Sequence, residues 1–279
     1  MNVVKTIGET RGACRGAKRT GSLGLVPTMG ALHEGHLSLV RAAKRQCDAV
    51  AVSLFVNPMQ FGPNEDLAKY PRTFERDCEL LEKEGADLLF APSVEEMYPG
   101  GATTFVTVEG LSERLDGKSR PGHFRGVTTV VSKLFHIVEP DRAFFGQKDA
   151  AQVAVIRRMV RDLDLPVEIV VCPIVRESDG LAMSSRNVYL NAAQRKSALA
   201  LSRSLRAVED RFRSGERCAA ALVEAGKNVI AQEPSVRLDY YEIVDPETLL
   251  SNEEVRVPAL VTVAAFVGAT RLIDNVVLT

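Results

Sequence analysis

Between residues 23 and 175, short apolar, β-branched runs alternate with stretches of helical periodicity, and few folds accommodate that pattern. The runs at 23–27 (LGLVP), 49–56 (AVAVSLFV), 86–92 (ADLLFAP), 142–146 (RAFFG) and 167–175 (VEIVVCPIV) are apolar almost throughout, as expected for strands covered on both faces. Between them, 36–46, 73–85, 126–138 and 149–163 read as helices. In 36–46, Leu37, Val40 and Ala42/Ala43 share a face, with basic residues late in the segment. In 73–85 the pattern turns Phe74, Leu80 and Leu81 toward a core and Asp77, Glu79 and Glu82 toward water. Strands alternating with helices of this length predict right-handed βαβ units and a parallel sheet, hence an α/β fold.

After about residue 175 the pattern changes. A loop carries SDGLAMSSRN (178–187), two polar helical stretches follow (191–213 and 217–232), then DYYEIVD (239–245) and two closely spaced apolar runs (255–266 and 270–278) that read as an antiparallel hairpin. We therefore expect two domains, 1–174 and a smaller α+β unit at 175–279. Composition limits the function classes. Lys+Arg total 35 and Asp+Glu 36 for a net charge of -1, so nothing global points to nucleic acid. No run of about eighteen apolar residues suggests a membrane span, and the N-terminal stretch lacks the apolar core of a secretory signal. The five cysteines, at 14, 47, 78, 172 and 218, are odd in number and never paired as CxxC. This reads as a reduced, cytoplasmic chain without a disulfide frame or zinc ribbon.

The most informative segment is PTMGALHEGH (27–36), which follows a strand and opens a helix. Gly30 and Gly35 permit close backbone approach, and His33 and His36, three apart, project on one side of the first turn. The exposed N–H groups and positive end of that helix suit an anion. HxxH can also bind metal, but no third ligand of metal type stands nearby. FGQKD (145–149) ends a strand and starts a helix, offering Lys148 as a point charge for phosphate and Asp149 for an indirectly held cation or a ribose. MSSRN (183–187) offers hydroxyls at Ser184 and Ser185 and a bidentate fork at Arg186. SRPGHF (119–124) reads as a Pro-Gly turn with Arg120 and His123 as polar ends, whereas His136, inside SKLFHIV, reads as a helix-face or core histidine. Each motif taken alone also has an ordinary reading as a turn, a cap or a solvated face.

Strand, Gly-rich turn and His-x-Gly-His at a helix start resemble the nucleotidyltransferase superfamily. The run PTMGALHEGHLSLV is similar to the pantoate–beta-alanine ligase family in particular. The resemblance continues in family order through 52–72, 119–135, 144–152 and 173–190. It implies a Rossmann-like parallel-sheet N-terminal domain with a smaller α+β C-terminal lid domain. It also implies a homodimer joined through the N-terminal domain, with pantoate, beta-alanine and ATP as substrates and Mg2+ carried mainly by the phosphates. The implied chemistry has two steps: the pantoate carboxylate attacks the α-phosphate to give a pantoyl adenylate, then the beta-alanine amine displaces AMP. A carboxylate needs no base for the first step, which calls for alignment and neutralisation of phosphate charge.

By the same resemblance, Met29, Gly30, Ala31, Leu32, His33, Glu34, Gly35 and His36 contact ATP, as do Gly146, Gln147, Lys148, Asp149, Val175, Met183, Ser184, Ser185 and Arg186. His33, His36, Lys148 and Arg186 carry the chemistry, and the likeness of SRPGHF to a family block near the phosphates implies that Arg120 and His123 hold the triphosphate or pyrophosphate. His36, the family's assigned proton donor, reads physically as a hydrogen-bond donor to the α-phosphate. Val175 meets the base through its backbone. Gln60 and Gln152 match the pantoate-binding glutamines, with Met29, Phe61 and Val131 as walls for the dimethyl group and Asn57 and Asp77 organising that side. Ala150 and Ala151 depart from the family pattern, where an aromatic and a second glutamine are common. Competing readings are a nucleotidyltransferase with a phosphorylated acceptor, which calls for a basic acceptor pocket, a tRNA-charging enzyme, which calls for a tRNA-binding domain, and a silent nucleotide-binding module, which calls for a lost histidine or lysine.

Overall fold

In the computed structural model, which describes residues 1–63, 65–100 and 102–279, the alternation becomes a three-layer unit. Asn64, inside the family-like block 52–72, and Gly101 lie outside the described residues. Strands β1 (Asn2–Val4), β2 (Leu23–Thr28), β3 (Ala49–Leu54), β4 (Leu88–Phe90), β5 (Arg142–Gly146) and β6 (Glu168–Cys172) form one sheet in the order β1-β4-β3-β2-β5-β6, with every neighbouring pair parallel. Side chains alternate between its faces. Leu23, Leu25, Ala51, Leu88, Phe90, Ala143 and Phe145 pack under helices α1 (Ile7–Lys18), α6 (His123–Val138) and α7 (Ala150–Asp162). Val26, Val50, Val52, Leu89 and Phe144 pack under α2 (Glu34–Gln46) and α3 (Phe74–Lys83). This double burial explains why the strands read as unbroken apolar runs. Each buried Leu, Val or Phe contributes about 1.5–3 kcal/mol. Two one-turn helices, α4 (Val94–Met97) and α5 (Asp116–Ser119), sit in the long connection from β4 to α6.

The chain leaves β2 for β3 and β4 on one side, then returns to the other side of β2 as β5. Winding reverses between β2 and β5, and in open parallel sheets such a switch leaves a crevice at the carboxyl ends of the two strands. The segment after β2 is 29–36 and the segment after β5 is 147–149, the two that the sequence marks for phosphate.

Beyond β6, α8 (Ala192–Arg213) and α9 (Ala219–Ala231) cover an antiparallel sheet of β7 (Val236–Val244), β8 (Ala259–Val267) and β9 (Thr270–Leu278). Helices on a small antiparallel sheet are the α+β architecture expected of the C-terminal part. Among the described residues no helix is long and apolar enough to cross a membrane, and the cysteines are free.

Several expectations are corrected. The strand read at 49–56 ends at Leu54, that at 86–92 shrinks to Leu88–Phe90, and that at 167–175 becomes Glu168–Cys172; beyond two of these ends only single backbone bonds run on, from the Phe55 N–H to the Thr28 carbonyl and from the Ala91 N–H to the Val4 carbonyl. The sequence pattern does not mark β1 or α1: three residues carry too little periodicity, and α1 is a mostly polar helix started by a capping box between Thr6 and Glu9. Asp77, expected to face water, is fully buried because it caps backbone groups of the β2–α2 turn.

Helix α6 approaches the 58–60 turn so closely that a Cβ on Gly126 would collide with the Met59 carbonyl and the Gln60 amide. Gly126→Ala is therefore expected to cost about 1–3 kcal/mol by overpacking. Urea denaturation checks this, and an unchanged midpoint would show that the turn is not seated on the helix.

Candidate active site

At the end of β2, Gly30 (φ +83) and Ala31 (φ +50) are both left-handed, a conformation that glycine adopts freely and alanine resists by about 1–2 kcal/mol. The buried Asp77 carboxylate offsets that cost: Oδ2 accepts the Ala31 N–H at 2.9 Å and Oδ1 the Leu32 N–H at 2.8 Å. Hydrogen bonds to a charged group contribute about 1.5–3 kcal/mol each, so the clamp outweighs the strain. Thr73 Oγ1 donates to Asp77 Oδ1 at 3.1 Å. The clamped turn delivers His33 as the N-cap of α2.

The expected cradle of free helix N–H groups gives way to side chains. The Gly35 N–H donates to His33 Nδ1 at 3.1 Å, and the His33 N–H to His36 Nδ1 at 3.4 Å. A backbone N–H can only donate, so both Nδ1 atoms are acceptors and both neutral rings carry their proton on Nε2. The rings lie 4.1 Å apart, centre to centre. Burial pulls His33 down to about 4, with Lys148 adding to the effect. Burial, His33 and Lys148 hold His36 well below the usual imidazole range. The free protein thus presents two neutral Nε2–H donors beside a lysine.

At the end of β5, Lys148 Nζ stands 3.7 Å from Asp149 Oδ1. Lys148, Asp149 and Gln152 line a cleft of about 980 Å³, facing Ser184, Arg186 and β9 of the C-terminal unit. From that unit, Ser185 Oγ donates to the Ala31 carbonyl at 3.1 Å, and Met183 packs over Gly35. The Met183 N–H donates to the Val175 carbonyl at 3.0 Å. The structure therefore brings the three marked segments, 29–36, 146–149 and 175–186, to one place. Not every residue in them faces it. The Leu32 side chain is core, Glu34 pairs with Arg41, and the Gln147 side chain turns to Asn275. The Arg186 fork is held by Asp66, through Nε at 2.9 Å and Nη2 at 2.8 Å, a partner the sequence does not suggest.

Gln60 is buried, and its Oε1 accepts Asn57 Nδ2 at 3.1 Å while its Nε2 lies 3.1 Å from Met29 Sδ. Asn57 also donates to the Gly126 carbonyl and accepts from Tyr98 Oη. The Gln60 carbonyl, 2.8 Å from His123 Nδ1, can only accept, and Arg120 Nη1 at 3.0 Å from Nε2 can only donate, so His123 carries its proton on Nδ1. Burial and Arg120 pull that ring down to about 4. Arg120 also forks onto Glu65. Arg120 and His123, expected beside phosphates, line the same cleft as Lys148 and also seat Gln60 through its carbonyl. His136 lies exposed on its helix, as one of its two readings had it.

Among the described residues no three metal-ligating side chains converge. Asp149, half-exposed beside Lys148, suits a cation that arrives already coordinated by phosphates and not one caged by protein.

The ordinary imidazole value is 6.5, and His33 and His123 lie near 4 when folded. The unfolded chain therefore binds more protons between those limits, so this contribution to stability is complete above about pH 6.5 and lost as pH falls toward about 4. Denaturation midpoints at pH 7 and pH 5.5 should fall with pH, and fall less in a His123→Asn variant. Equal midpoints would contradict the buried neutral rings.

A family model described as pantoate-beta-alanine ligase matches residues 2–277. Similar proteins include the pantothenate synthetases of Acidobacterium capsulatum, 65% identical over 100% of this chain and 97% of that protein, and of Koribacter versatilis, 63% identical over 100% and 96%. Among solved structures, pantothenate synthetase from Thermus thermophilus superposes with a TM-score of 0.95 at 51% identity, covering 99% of each chain. The pantoate-beta-alanine ligase of Francisella tularensis, complexed with beta-gamma ATP and beta-alanine, superposes with a TM-score of 0.81 at 33% identity, over 99% of this chain and 97% of that one. The parallel sheet, its switch-point crevice and these likenesses over the whole length place the chain in the pantoate–beta-alanine ligase family.

Proposed function

We propose that the chain condenses (R)-pantoate with beta-alanine at the expense of ATP, through an enzyme-bound pantoyl adenylate. The observation that carries this reading is the pair of neutral Nε2–H imidazoles held beside Lys148 at the β2–β5 crevice. A carboxylate attacking an α-phosphate needs donors where charge grows and no general base. In this reading His33 and His36 donate to the phosphate oxygens, Lys148 adds a mobile positive charge, and Arg186 exchanges Asp66 for the nucleotide. His36 then serves as a donor without giving up its proton. Asp149 would help hold an Mg2+ ion brought in with ATP, and such an ion would supply further positive charge.

Pantoate fits the other end of the site. Gln60 is held from behind by Asn57, which leaves its amide N–H beside Met29, and Gln152 lines the cleft from the first turn of α7. Amides that both donate and accept suit a hydroxyl next to a carboxylate. The arginines at the cleft are paired, Arg120 with Glu65, Arg186 with Asp66 and Arg271 with Asp116, which disfavours a phosphorylated acceptor. In the second step the amine attacks the acyl carbon, the acyl–oxygen bond breaks and AMP leaves. We place the domain division at 174/175 and assign 175–279 the role of a lid, because from it Met183 and Ser185 meet the 29–36 segment and Arg186 lines the cleft opposite Lys148; closure would keep water from the acyl phosphate.

A pyrophosphate-release assay tests the reading. ATP, pantoate and Mg2+ without beta-alanine should give a stoichiometric burst. His36→Ala should slow the burst by about 10²–10³-fold, a usual loss for a transition-state donor. Gln60→Ala should mainly weaken pantoate binding. Release only when beta-alanine is present, or a His36→Ala burst at the native rate, would overturn it.

A further inference from the structure

Two consecutive polar residues in the middle of β9, Asp274 and Asn275, are both buried between apolar neighbours. Burying such groups is costly unless each finds partners, and their partners lie largely in the nucleotide segments. Asn275 Nδ2 donates to the Gln147 carbonyl at 3.0 Å and the Lys148 carbonyl at 2.9 Å, and Oδ1 accepts Gln147 Nε2 at 3.2 Å. Both amide protons and the carbonyl are thus engaged by one turn, which has no side-chain cap of its own. Asp274 takes the Arg176 fork, Nη1 at 2.6 Å and Nη2 at 2.9 Å, and the Asn275 N–H at 2.8 Å. Arg176 is bridged to Ala182, next to the Val175–Met183 bond, and so belongs to the segment that carries Ser184 to Arg186.

We propose that Asp274 and Asn275 are a positioning pair for adenylation: adjacent residues of one strand of the C-terminal unit fix the Lys148 turn and the 175–186 segment in a single register. Side chains that follow each other along a strand leave it on opposite sides, so one rigid peptide holds both halves of the nucleotide site apart at a set distance. The pair touches no reacting atom and acts through Lys148 and Arg176. The proposal rests on the assignment of Lys148 to the triphosphate.

The test is a double-mutant cycle on the full-length enzyme, read as the burst rate, pantoate affinity and melting temperature. Asn275→Ala should slow the burst by about 10–100-fold, the scale of a small misplacement of a catalytic group, with pantoate affinity held within about twofold. On a Lys148→Ala background the same change should cost less than about threefold, since groups that act as a unit are non-additive. Asp274→Asn and Arg176→Ala should likewise share one loss and not multiply. If Asn275→Ala fails to fold, Gln147→Ala removes one of the three bonds from outside the strand and is read in the same cycle. Losses that multiply in both cycles, or a lowered melting temperature with a native burst rate, overturn the pair as a positioning device. A native burst from Lys148→Ala alone would remove the site assignment first, and the proposal with it.

Discussion

The Asp77 carboxylate sits under the turn that ends β2, and the chemistry depends on that contact. Two consecutive left-handed residues, one of them alanine, would not persist without partners for their N–H groups. Asp77 takes the amides of Ala31 and Leu32, so the chain must turn there and restart as a helix with His33 at its cap. The turn lies beside the one after β5 because the sheet reverses its winding between those strands. Sheet topology thus brings two loops together, and one buried carboxylate gives the first of them its shape.

Charge at the cleft is arranged by pairing. Arg120, Arg186 and Arg271 each hold a carboxylate, while the histidines facing the crevice are neutral. The free protein therefore carries donors and a lysine at the crevice without a large uncompensated field. A polyanionic ligand would be met by neutral N–H groups that need no reorganisation, and by an arginine whose present partner is a carboxylate of similar geometry. The C-terminal unit touches the 29–36 and 146–149 segments along two seams, the half-buried Met183–Ser185 stretch and the buried Asn275 side chain.

Sheet and helix alternation is legible in the sequence because strands buried on both faces show as apolar runs whatever their neighbours. The clustering of 29–36, 146–149 and 175–186 is legible only through the motif resemblance; periodicity says nothing about which loops meet. Asp77 misleads because its helical position is that of a solvated acid, and the groups it caps lie 45 and 46 residues away. Asp66, Asp274 and Asn275 are hidden for the same reason: each pairs across 98 to 128 residues, and no local signal marks such a partner. His33 and His36 can be named from spacing, but their neutral state follows from backbone donors that only coordinates reveal.

Isotope transfer tests the central claim most directly. If the pantoate carboxylate is capped with AMP, pantoate labelled with oxygen-18 at both carboxylate positions must hand one labelled oxygen to AMP when the acyl–oxygen bond breaks. Mass spectrometry of AMP from a single turnover should show one label per molecule. Unlabelled AMP would contradict the account, since the carboxylate would then never have joined the α-phosphate.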